Sequence, residues 1–233
     1  MAGKDITIKA ADGGSFTGYL AMPPAGKGPG IVVIQEIFGV NQVMRDLTDG
    51  FAAAGYVALC PDLFWRQEPG IQITDKTDAE WKRAFALFQG FDLDKGVQDL
   101  ASTLAHLRKV PGCAGKVGCV GYCLGGRLAY LMGARTGIDA AVGYYGVYIQ
   151  EHLGEAKNIK KPIMLHVAEK DQFVPPEAQA KIRDGLKGNK LVTIHTYAGM
   201  DHAFARVGGA HYDKAAADLA NKRTADFFKA NLA

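Results

Sequence analysis

The 233-residue sequence has little of what marks several classes of protein. Its formal net charge is only +3, from 27 basic and 24 acidic side chains, and like charges do not cluster. Domains that bind nucleic acid are usually far more basic, so we expect no nucleic-acid partner. The longest mostly apolar run, residues 51–60, is about half of what a helix needs to cross a bilayer. We therefore expect no membrane partner either.

Cysteine is also scarce. The cysteines are Cys60, Cys113, Cys119 and Cys123, and no pair has the CxxC spacing. They are too few to form a disulfide scaffold in a chain of this length. The CxxxC spacing of Cys119 and Cys123 is not a usual zinc spacing, and the sequence contains no HExxH motif. We therefore expect no metal. Residues 1–5 include the charged Lys4 and Asp5 and begin no apolar leader segment, which favours a cytoplasmic location.

The order of apolar patterns is typical of an α/β protein. Residues 6–9 and 16–22 alternate as antiparallel strands do, and residues 31–34 form a β-branched run typical of a strand buried on both faces. Further strands are predicted at residues 56–59, 116–122, 140–145, 163–167 and 191–197, and helices at residues 44–54, 79–88, 97–108, 124–132, 175–185 and 212–230. Because strands and helices alternate after the antiparallel start, we predict one α/β domain over residues 1–233 with a mostly parallel sheet.

One strand-to-helix turn is expected to carry chemistry. Around Cys123 the sequence reads G-x-C-x-G-G, which is the nucleophile-elbow pattern with sulfur in place of oxygen. Gly121 and Gly125 supply the small neighbours that such a turn needs, and Gly126 allows close helix packing. At a helix N-terminus the thiolate form of Cys123 is favoured, and the backbone N–H of Leu124 would point at a developing oxyanion.

Two other interpretations of this turn stay open. A glycine-rich turn can cradle a phosphate, although neither GxxxxGK[ST] nor GxGxxG is present. A cysteine near a strand end is also often an inert core residue, which is our interpretation of Cys60, Cys113 and Cys119. For Cys123, the flanking glycines and the buried strand before it favour a nucleophile.

The catalytic partners are predicted from chain order. In α/β-hydrolases an acid and then a histidine follow the nucleophile, each in a loop after a strand. Asp171 and His202 follow two successive predicted strands in that order. Cys123 would be the nucleophile, His202 the base and later the acid, and Asp171 the residue that orients the imidazole. Glu169 stays an alternative acid, whereas Asp201 is expected to point away from its neighbour His202.

Glu36 comes soon after the buried run at residues 31–34. A carboxylate at the carboxyl end of a central parallel strand faces the ligand crevice. A solvated loop glutamate is an equally good interpretation from composition. The next backbone N–H, on Ile37, matches the second oxyanion donor expected from the loop after that strand.

Five segments together resemble the dienelactone hydrolase (carboxymethylenebutenolidase) family, nearly end to end and in the family's order. They are QEIFG at residues 35–39, CPDL at 60–63, VGYCLGG at 120–126, AVGYYG at 141–146 and HAFAR at 202–206. The resemblance implies an α/β-hydrolase fold with helices on both faces of the sheet and a triad of Cys123, His202 and Asp171. It also implies that the enzyme uses no cofactor.

The resemblance further implies that Glu36 takes the proton from the Cys123 thiol when substrate arrives. Such ionisation on demand is chemically sensible, because a standing thiolate is readily oxidised. The family's substrate is an unsaturated lactone with a pendant carboxylate, which is opened to maleylacetate in chloroaromatic breakdown. We therefore expect the substrate to be a small anionic lactone or ester. We also expect the protein to be a monomer.

One departure from the family concerns the substrate carboxylate. The family holds it with two arginines, of which one matches Arg206 and the other falls at Trp81. Lys82 and Arg83 are adjacent, but one helical step turns about 100°, so they would face elsewhere. Phe85 stands where the family commonly has tyrosine. The expected substrate contacts are Arg206, Trp81, Phe38, Phe85 and Tyr144. We expect weakened or reshaped carboxylate binding, with Arg206 as the remaining anchor.

Three other functions stay open. A broader carboxylesterase or thioesterase of the same fold is favoured by Trp81, since a pocket without the second arginine can admit neutral acyl groups. A non-catalytic binding module conflicts with the intact catalytic set. A redox thiol protein would need a resolving cysteine, and Cys119 lies too far from Cys123 along an extended strand.

Overall fold

A computed structural model describes residues 3–232. Within that range the strands are β1 (Lys4–Lys9), β2 (Ser15–Ala21), β3 (Gly28–Ile34), β4 (Val57–Pro61), β5 (Cys113–Tyr122), β6 (Ala140–Tyr144), β7 (Ile163–Ala168) and β8 (Val192–Tyr197). The α-helices are α1 (Gln42–Ala53), α2 (Asp78–Gln89), α3 (Leu93–Leu107), α4 (Leu124–Arg135), α5 (Pro176–Leu186) and α6 (Lys214–Leu232). The 3-10 helix at Ile149–Asn158 was not predicted.

The strands of the described chain form an eight-stranded sheet in the order β1-β2-β4-β3-β5-β6-β7-β8. The pairs β1–β2 and β2–β4 are antiparallel, whereas β3–β4, β6–β7 and β7–β8 are parallel. The predicted fold class, a mostly parallel α/β sheet with an antiparallel N-terminal part, is confirmed. The chain divides by packing into two compact units, Met1–Gly118 and Cys119–Ala233. The single domain over residues 1–233 stays a prediction.

In the first unit, β3 and β4 form the buried centre. Every residue of β4 is buried, as are the last five residues of β3, which explains the unbroken apolar sequence of both strands. α1 follows β3 after a short loop, and its first turn is capped by the Asn41 side chain, which accepts a hydrogen bond from the Met44 N–H at 3.2 Å. Glu36, Ile37 and Phe38 lie in the loop between β3 and α1.

In the second unit, α4 is a core helix. All of its residues are buried except Arg127 and Arg135, so it has no broad polar face. It starts at Leu124, immediately after Cys123, and packs on β6 and β7. Asp171 follows β7 and His202 follows β8. The carboxyl ends of the strands therefore supply the loops that carry chemistry.

Within residues 3–232 no helix combines the length and the apolar character that crossing a bilayer requires.

Candidate active site

Cys123 occupies a strained turn between β5 and α4. Its backbone has φ 56° and ψ −115°, a conformation that costs a residue other than glycine about 1–3 kcal/mol. The Cys123 N–H donates to the carbonyl of Tyr144 at 3.1 Å, and its own carbonyl accepts from the N–H of Gly126 at 3.0 Å. The surrounding backbone thus holds the cysteine in place against its local preference.

Glycines on both sides make this turn possible. A Cβ at position 121 would collide with the carbonyl oxygen of Gly125. A Cβ at position 126 would lie 2.6 Å from the carbonyl oxygen of Tyr144 and 2.7 Å from the Cα of Gly146. No larger residue fits at either position, because backbone occupies the space on each side.

The second unit brings Cys123, His202 and Asp171 together. Nδ1 of His202 lies 2.8 Å from Oδ2 of Asp171, and the imidazole also shares a side-chain hydrogen bond with Cys123. Burial lowers the pKa of His202, but the adjacent Cys123 and Asp171 outweigh burial and raise that pKa to about 10. Since Nδ1 faces the carboxylate, Nε2 is the nitrogen available to the sulfur. The arrangement favours a histidine that holds a proton beside the sulfur.

Asp171, and not Glu169, is the acid that faces the imidazole. The Oδ1 atom of Asp171 accepts hydrogen bonds from the N–H groups of Phe173 at 2.9 Å and Val174 at 3.2 Å, which leaves Oδ2 for the histidine. Oε2 of Glu169 instead accepts from the N–H of Gly199 at 2.8 Å. Glu169 therefore joins two loops, and the geometry favours Asp171 as the acid.

The backbone of His202 is held from both sides. Oδ1 of Asp201 accepts the His202 N–H at 2.6 Å, so this carboxylate bonds to the backbone of its neighbour, although the sequence predicted that it points away. Nδ1 of His211 lies 3.1 Å from the carbonyl oxygen of His202. These contacts fix the loop without competing for the imidazole.

Two aromatic rings beside His202 were not predicted. Tyr145 and Phe173 both meet the imidazole edge to face, with ring centroids 5.0 and 4.9 Å away. Both residues are sequence neighbours of predicted ones. The alternation of side chains at the end of a strand could have indicated Tyr145 in place of Tyr144.

Tyr144 itself is enclosed by the protein. It is fully buried, and its hydroxyl lies 2.6 Å from Oγ1 of Thr224 and donates to Oδ1 of Asn221, both on α6. Its ring packs 4.3 Å from that of His166. A ring enclosed in this way offers no surface to a ligand, so the predicted substrate contact at Tyr144 needs correction.

His166 is a core histidine in β7. Nδ1 lies 2.8 Å from the hydroxyl of Tyr197 and Nε2 lies 3.0 Å from Oγ1 of Thr224. Burial, with the neighbouring positive groups His195 and Arg223, lowers the pKa of His166 to about 3. This histidine stays neutral and links β7 to α6.

The loop after β3 in the first unit is buried. Glu36 is only 4% exposed, so it is not a solvated loop glutamate. The side chain of Gln35 donates to the carbonyl of Glu36 at 3.3 Å and accepts from the N–H of Leu63 at 3.0 Å. Gln35 thereby fixes the backbone of Glu36 and Ile37, a role that sequence reasoning missed.

Trp81 and its neighbours form an aromatic cluster in the first unit. The Trp81 ring meets Phe38 edge to face at 5.1 Å and stacks on Phe85 at 5.5 Å. The Trp81 Nε1–H donates to the carbonyl of Asp75 at 3.1 Å, which orients the indole. Three of the predicted substrate contacts thus belong to one apolar surface, which we call the aromatic cluster.

Comparison with known proteins gives the family. The model of the dienelactone hydrolase family matches residues 16–232. The chain belongs to this family. A protein of Azospirillum brasilense, provisionally named carboxymethylenebutenolidase, is 57% identical over 98% of this chain and 99% of its own length. The carboxymethylenebutenolidase of Pseudomonas putida is 40% identical over 97% of this chain and 96% of its own length.

A solved structure agrees with the fold of the family. The crystal structure of a provisionally named dienelactone hydrolase from Klebsiella pneumoniae has a TM-score of 0.85 to this chain at 26% sequence identity. The match covers 98% of this chain and 99% of the other. The resemblance drawn from the five sequence segments is therefore confirmed.

For a member of this family, no metal centre is evident in the described residues. Residues 3–232 contain no group of three or more histidine, cysteine, aspartate or glutamate side chains arranged to hold a metal ion.

Alkylation should single out Cys123 among the four cysteines. Cys60 and Cys119 are fully buried, and burial raises the pKa of both thiols well above the ordinary value. The pKa of the half-buried Cys113 thiol is raised for the same reason. We expect iodoacetamide to label Cys123 at least about tenfold faster than the others in the native protein, because reactivity follows thiolate character and access.

Peptide mass spectrometry over a time course of alkylation measures the four rates in one sample. Unfolded protein in denaturant is the control, since there the four cysteines should react at similar rates. Equal labelling of Cys123 and Cys60 in the folded protein, even with a substrate analogue bound, would contradict the nucleophile assignment.

Proposed function

We propose that the protein is a carboxylic ester hydrolase that opens the ring ester of a small unsaturated lactone, converting dienelactone to maleylacetate through an acyl-enzyme on Cys123. The observation that carries the proposal is the continuous contact from Cys123 through His202 to Asp171, with 2.8 Å between the last two. The relatives named carboxymethylenebutenolidase support the substrate class.

In the first half of the reaction, the Cys123 sulfur attacks the lactone carbonyl carbon. The carbon–sulfur bond forms, the ring carbon–oxygen bond breaks, and the leaving oxygen takes a proton from His202. The negative oxygen of the tetrahedral intermediate is bound by backbone N–H groups of Leu124 and Ile37. The Leu124 N–H suits this role because it opens α4, where the first N–H groups have no partner within the helix.

In the second half, water cleaves the thioester. His202 takes a proton from the water, whose oxygen attacks the acyl carbon. The sulfur leaves and takes its proton back from Glu36, which restores the Cys123 thiol. Asp171 holds the imidazole in one orientation throughout and stabilises its protonated form.

Glu36 takes up the thiol proton when substrate arrives, before the sulfur attacks. Its burial supports this role, because bulk water is kept away from the carboxylate.

Steady-state kinetics on a substrate panel tests the proposal. The panel consists of cis-dienelactone, trans-dienelactone, p-nitrophenyl acetate and an acyl thioester. We expect kcat/KM to be highest for one of the dienelactones. A higher value for the simple ester or the thioester would contradict the proposed substrate.

A broader carboxylesterase or thioesterase is the second candidate. The aromatic cluster favours it, because Trp81 stands where the family resemblance implies an arginine, and it stacks on Phe85 and meets Phe38. An apolar surface binds a neutral acyl group by excluding water and offers no partner to a carboxylate. The same panel separates the two candidates.

Arg206 is proposed as the remaining anchor for a substrate carboxylate. Arg206 comes four residues after His202, and its N–H closes a turn by donating to the carbonyl of Ala203 at 2.9 Å. A charge-assisted hydrogen bond contributes about 1.5–3 kcal/mol, so Arg206→Ala should raise KM for anionic lactones by roughly 10- to 100-fold. The KM for p-nitrophenyl acetate should change little.

Arg206→Lys is the matched control for this prediction. It keeps the positive charge but loses the planar, two-pronged geometry, so its KM for anionic lactones should lie between those of the other two proteins. Equal losses on anionic and neutral substrates in Arg206→Ala would exclude the anchor role.

Two other functions find no support in the second unit. A binding module without catalysis does not account for the aligned Cys123, His202 and Asp171. A redox thiol protein needs a second accessible cysteine, and Cys119 is fully buried. A cytoplasmic location, a monomeric state and the absence of a nucleic-acid or membrane partner stay predictions.

A further inference from the structure

The loop that carries Asp171 turns several backbone carbonyls toward one buried side chain. Nε2 of Gln179, on α5, lies 3.1 Å from the carbonyl oxygen of Ala168, 3.1 Å from that of Glu169 and 2.8 Å from that of Val174. Gln179 is only 3% exposed. Its amide therefore bonds to the chain both before and after the acid.

A buried glutamine at this helix position needs an explanation. The other inward residues of α5 are apolar, namely Ala178, Ile182 and Leu186. Burying an amide costs free energy unless it is fully hydrogen-bonded, so an apolar residue would suit packing as well or better. The cost is offset here because buried carbonyls also need donors, and Gln179 provides them.

The same loop leads directly to the reacting atoms. Oδ1 of Asp171 accepts from the N–H groups of Phe173 and Val174, and Oδ2 lies 2.8 Å from Nδ1 of His202. The Val174 carbonyl is one of the oxygens bonded to Gln179. A shift of Val174 therefore moves a donor that orients the Asp171 carboxylate, and through it the imidazole.

The loop of Asp171 is also joined to the loop of His202. The N–H of Glu169 donates to the carbonyl of Tyr197 at 3.1 Å, and the N–H of Lys170 donates to that of Met200 at 2.8 Å. The Glu169 carboxylate accepts from the N–H of Gly199 at 2.8 Å. These bonds cross from one loop to the other, whereas Gln179 alone among the side chains of α5 bonds to the acid loop in the described residues.

We propose that Gln179 is a positioning residue for Asp171: its buried amide holds the acid loop in the one conformation that aims Oδ2 at His202. The proposal goes beyond the hydrolase function and rests on it, since it needs Asp171 to be the catalytic acid. Gln179 touches neither substrate nor nucleophile and acts only through the loop.

Gln179→Met tests the proposal, because methionine has a similar length and no donor. We expect kcat to fall by roughly 10- to 100-fold, as for a misplacement of about 1 Å, while KM changes less than about twofold. The melting temperature, measured beside Leu186→Ala, separates positioning from folding. Leu186→Ala should lower the melting temperature through the same helix and leave kcat near the wild-type value.

A double-mutant cycle with Asp171→Asn gives the sharper test. If Gln179 works through Asp171, Gln179→Met should have almost no further effect on kcat once the carboxylate is gone. Independent, multiplied losses would mean a merely structural role and would overturn the proposal. If Gln179→Met does not fold, Gln179→Glu replaces it in the cycle, and the same two outcomes apply.

Cys123→Ala is assayed in parallel to separate this inference from the proposed function. Activity that survives in Cys123→Ala refutes the cysteine mechanism, whatever Gln179→Met does. An inactive Cys123→Ala beside a fully active Gln179→Met refutes only the positioning role.

Discussion

Cys123→Ala should be inactive, with kcat lowered on the order of 10⁴- to 10⁶-fold, as for the loss of other catalytic nucleophiles. The reason is chemical, because alanine offers no atom that can form the acyl bond. His202 and Asp171, which lie 2.8 Å apart in the wild type, have no sulfur beside them in this variant. The measurement is steady-state hydrolysis of dienelactone and of p-nitrophenyl acetate.

Cys113→Ala is the matched control for that experiment, since this cysteine is half-buried and lies ten residues earlier in the chain. It should keep the wild-type kcat. Because Cys123 has a strained backbone, circular dichroism and melting should show that Cys123→Ala remains folded. A folded Cys123→Ala that retains a tenth of the activity would mean that water, activated by His202, attacks the ester directly.

His202→Gln should lower kcat by about 10²- to 10⁴-fold at neutral pH, the usual contribution of a general acid–base group. The wild-type imidazole has a raised pKa of about 10 and so carries a proton beside the sulfur through the neutral range. Without it, the Cys123 sulfur loses its hydrogen-bond partner, and iodoacetamide labelling of Cys123 at pH 7 should slow in parallel. Kinetics and alkylation together measure both effects.

The pH dependence of stability gives this prediction a second readout. A histidine whose pKa rises from 6.5 to about 10 on folding stabilises the folded state fully below pH 6.5, and loses that contribution as the pH rises toward 10. The wild-type free energy of unfolding should therefore fall over that window more than that of His202→Gln. His195→Gln, a change in β8, is the control, and it should behave as the wild type in kinetics. Identical pH curves for the wild type and His202→Gln would contradict the view that a protonated His202 is paired with Asp171 in the folded state.

The sequence predicts the elbow well because its constraints are local. Positions 121 and 126 must be glycine because backbone a few residues away or beside the next strand would collide with a Cβ there. The glycine spacing around Cys123 is therefore enough to predict the turn. Asp171 and His202 could be predicted because strand order determines which loops meet at one end of a parallel sheet. Chain order therefore predicts three side chains that the second unit brings into contact.

Other parts of the site depend on contacts that no local pattern encodes. Gln35 and Gln179 act through carbonyls and N–H groups whose positions exist only in the folded chain. Tyr144 and Tyr145 lie in one motif, and only the end of β6 decides which ring faces His202. A glutamine inside a helix looks like any solvated side chain until its burial is known.

In the secondary structure, too, elements with a local sequence signal could be predicted and elements without one could not. Helices with a capping residue, such as α3 after Asp92, were predicted within four residues of their observed starts. The 3-10 helix at Ile149–Asn158 was missed, because its burial is confined mainly to Ile149 and leaves no periodic pattern. The residues of α4 are apolar almost all round, so their pattern predicts burial better than it predicts where the helix ends.

The most direct test of the cysteine mechanism is to trap the acyl-enzyme. The protein is mixed with excess p-nitrophenyl acetate, quenched with acid within the first turnovers, digested and analysed by mass spectrometry. We predict one acetyl group on the peptide that contains Cys123, present early, absent from Cys123→Ala, and lost as the substrate is exhausted. Turnover of the ester with no acetyl group on that peptide at any time, or with the group on another residue, would contradict nucleophilic catalysis by Cys123.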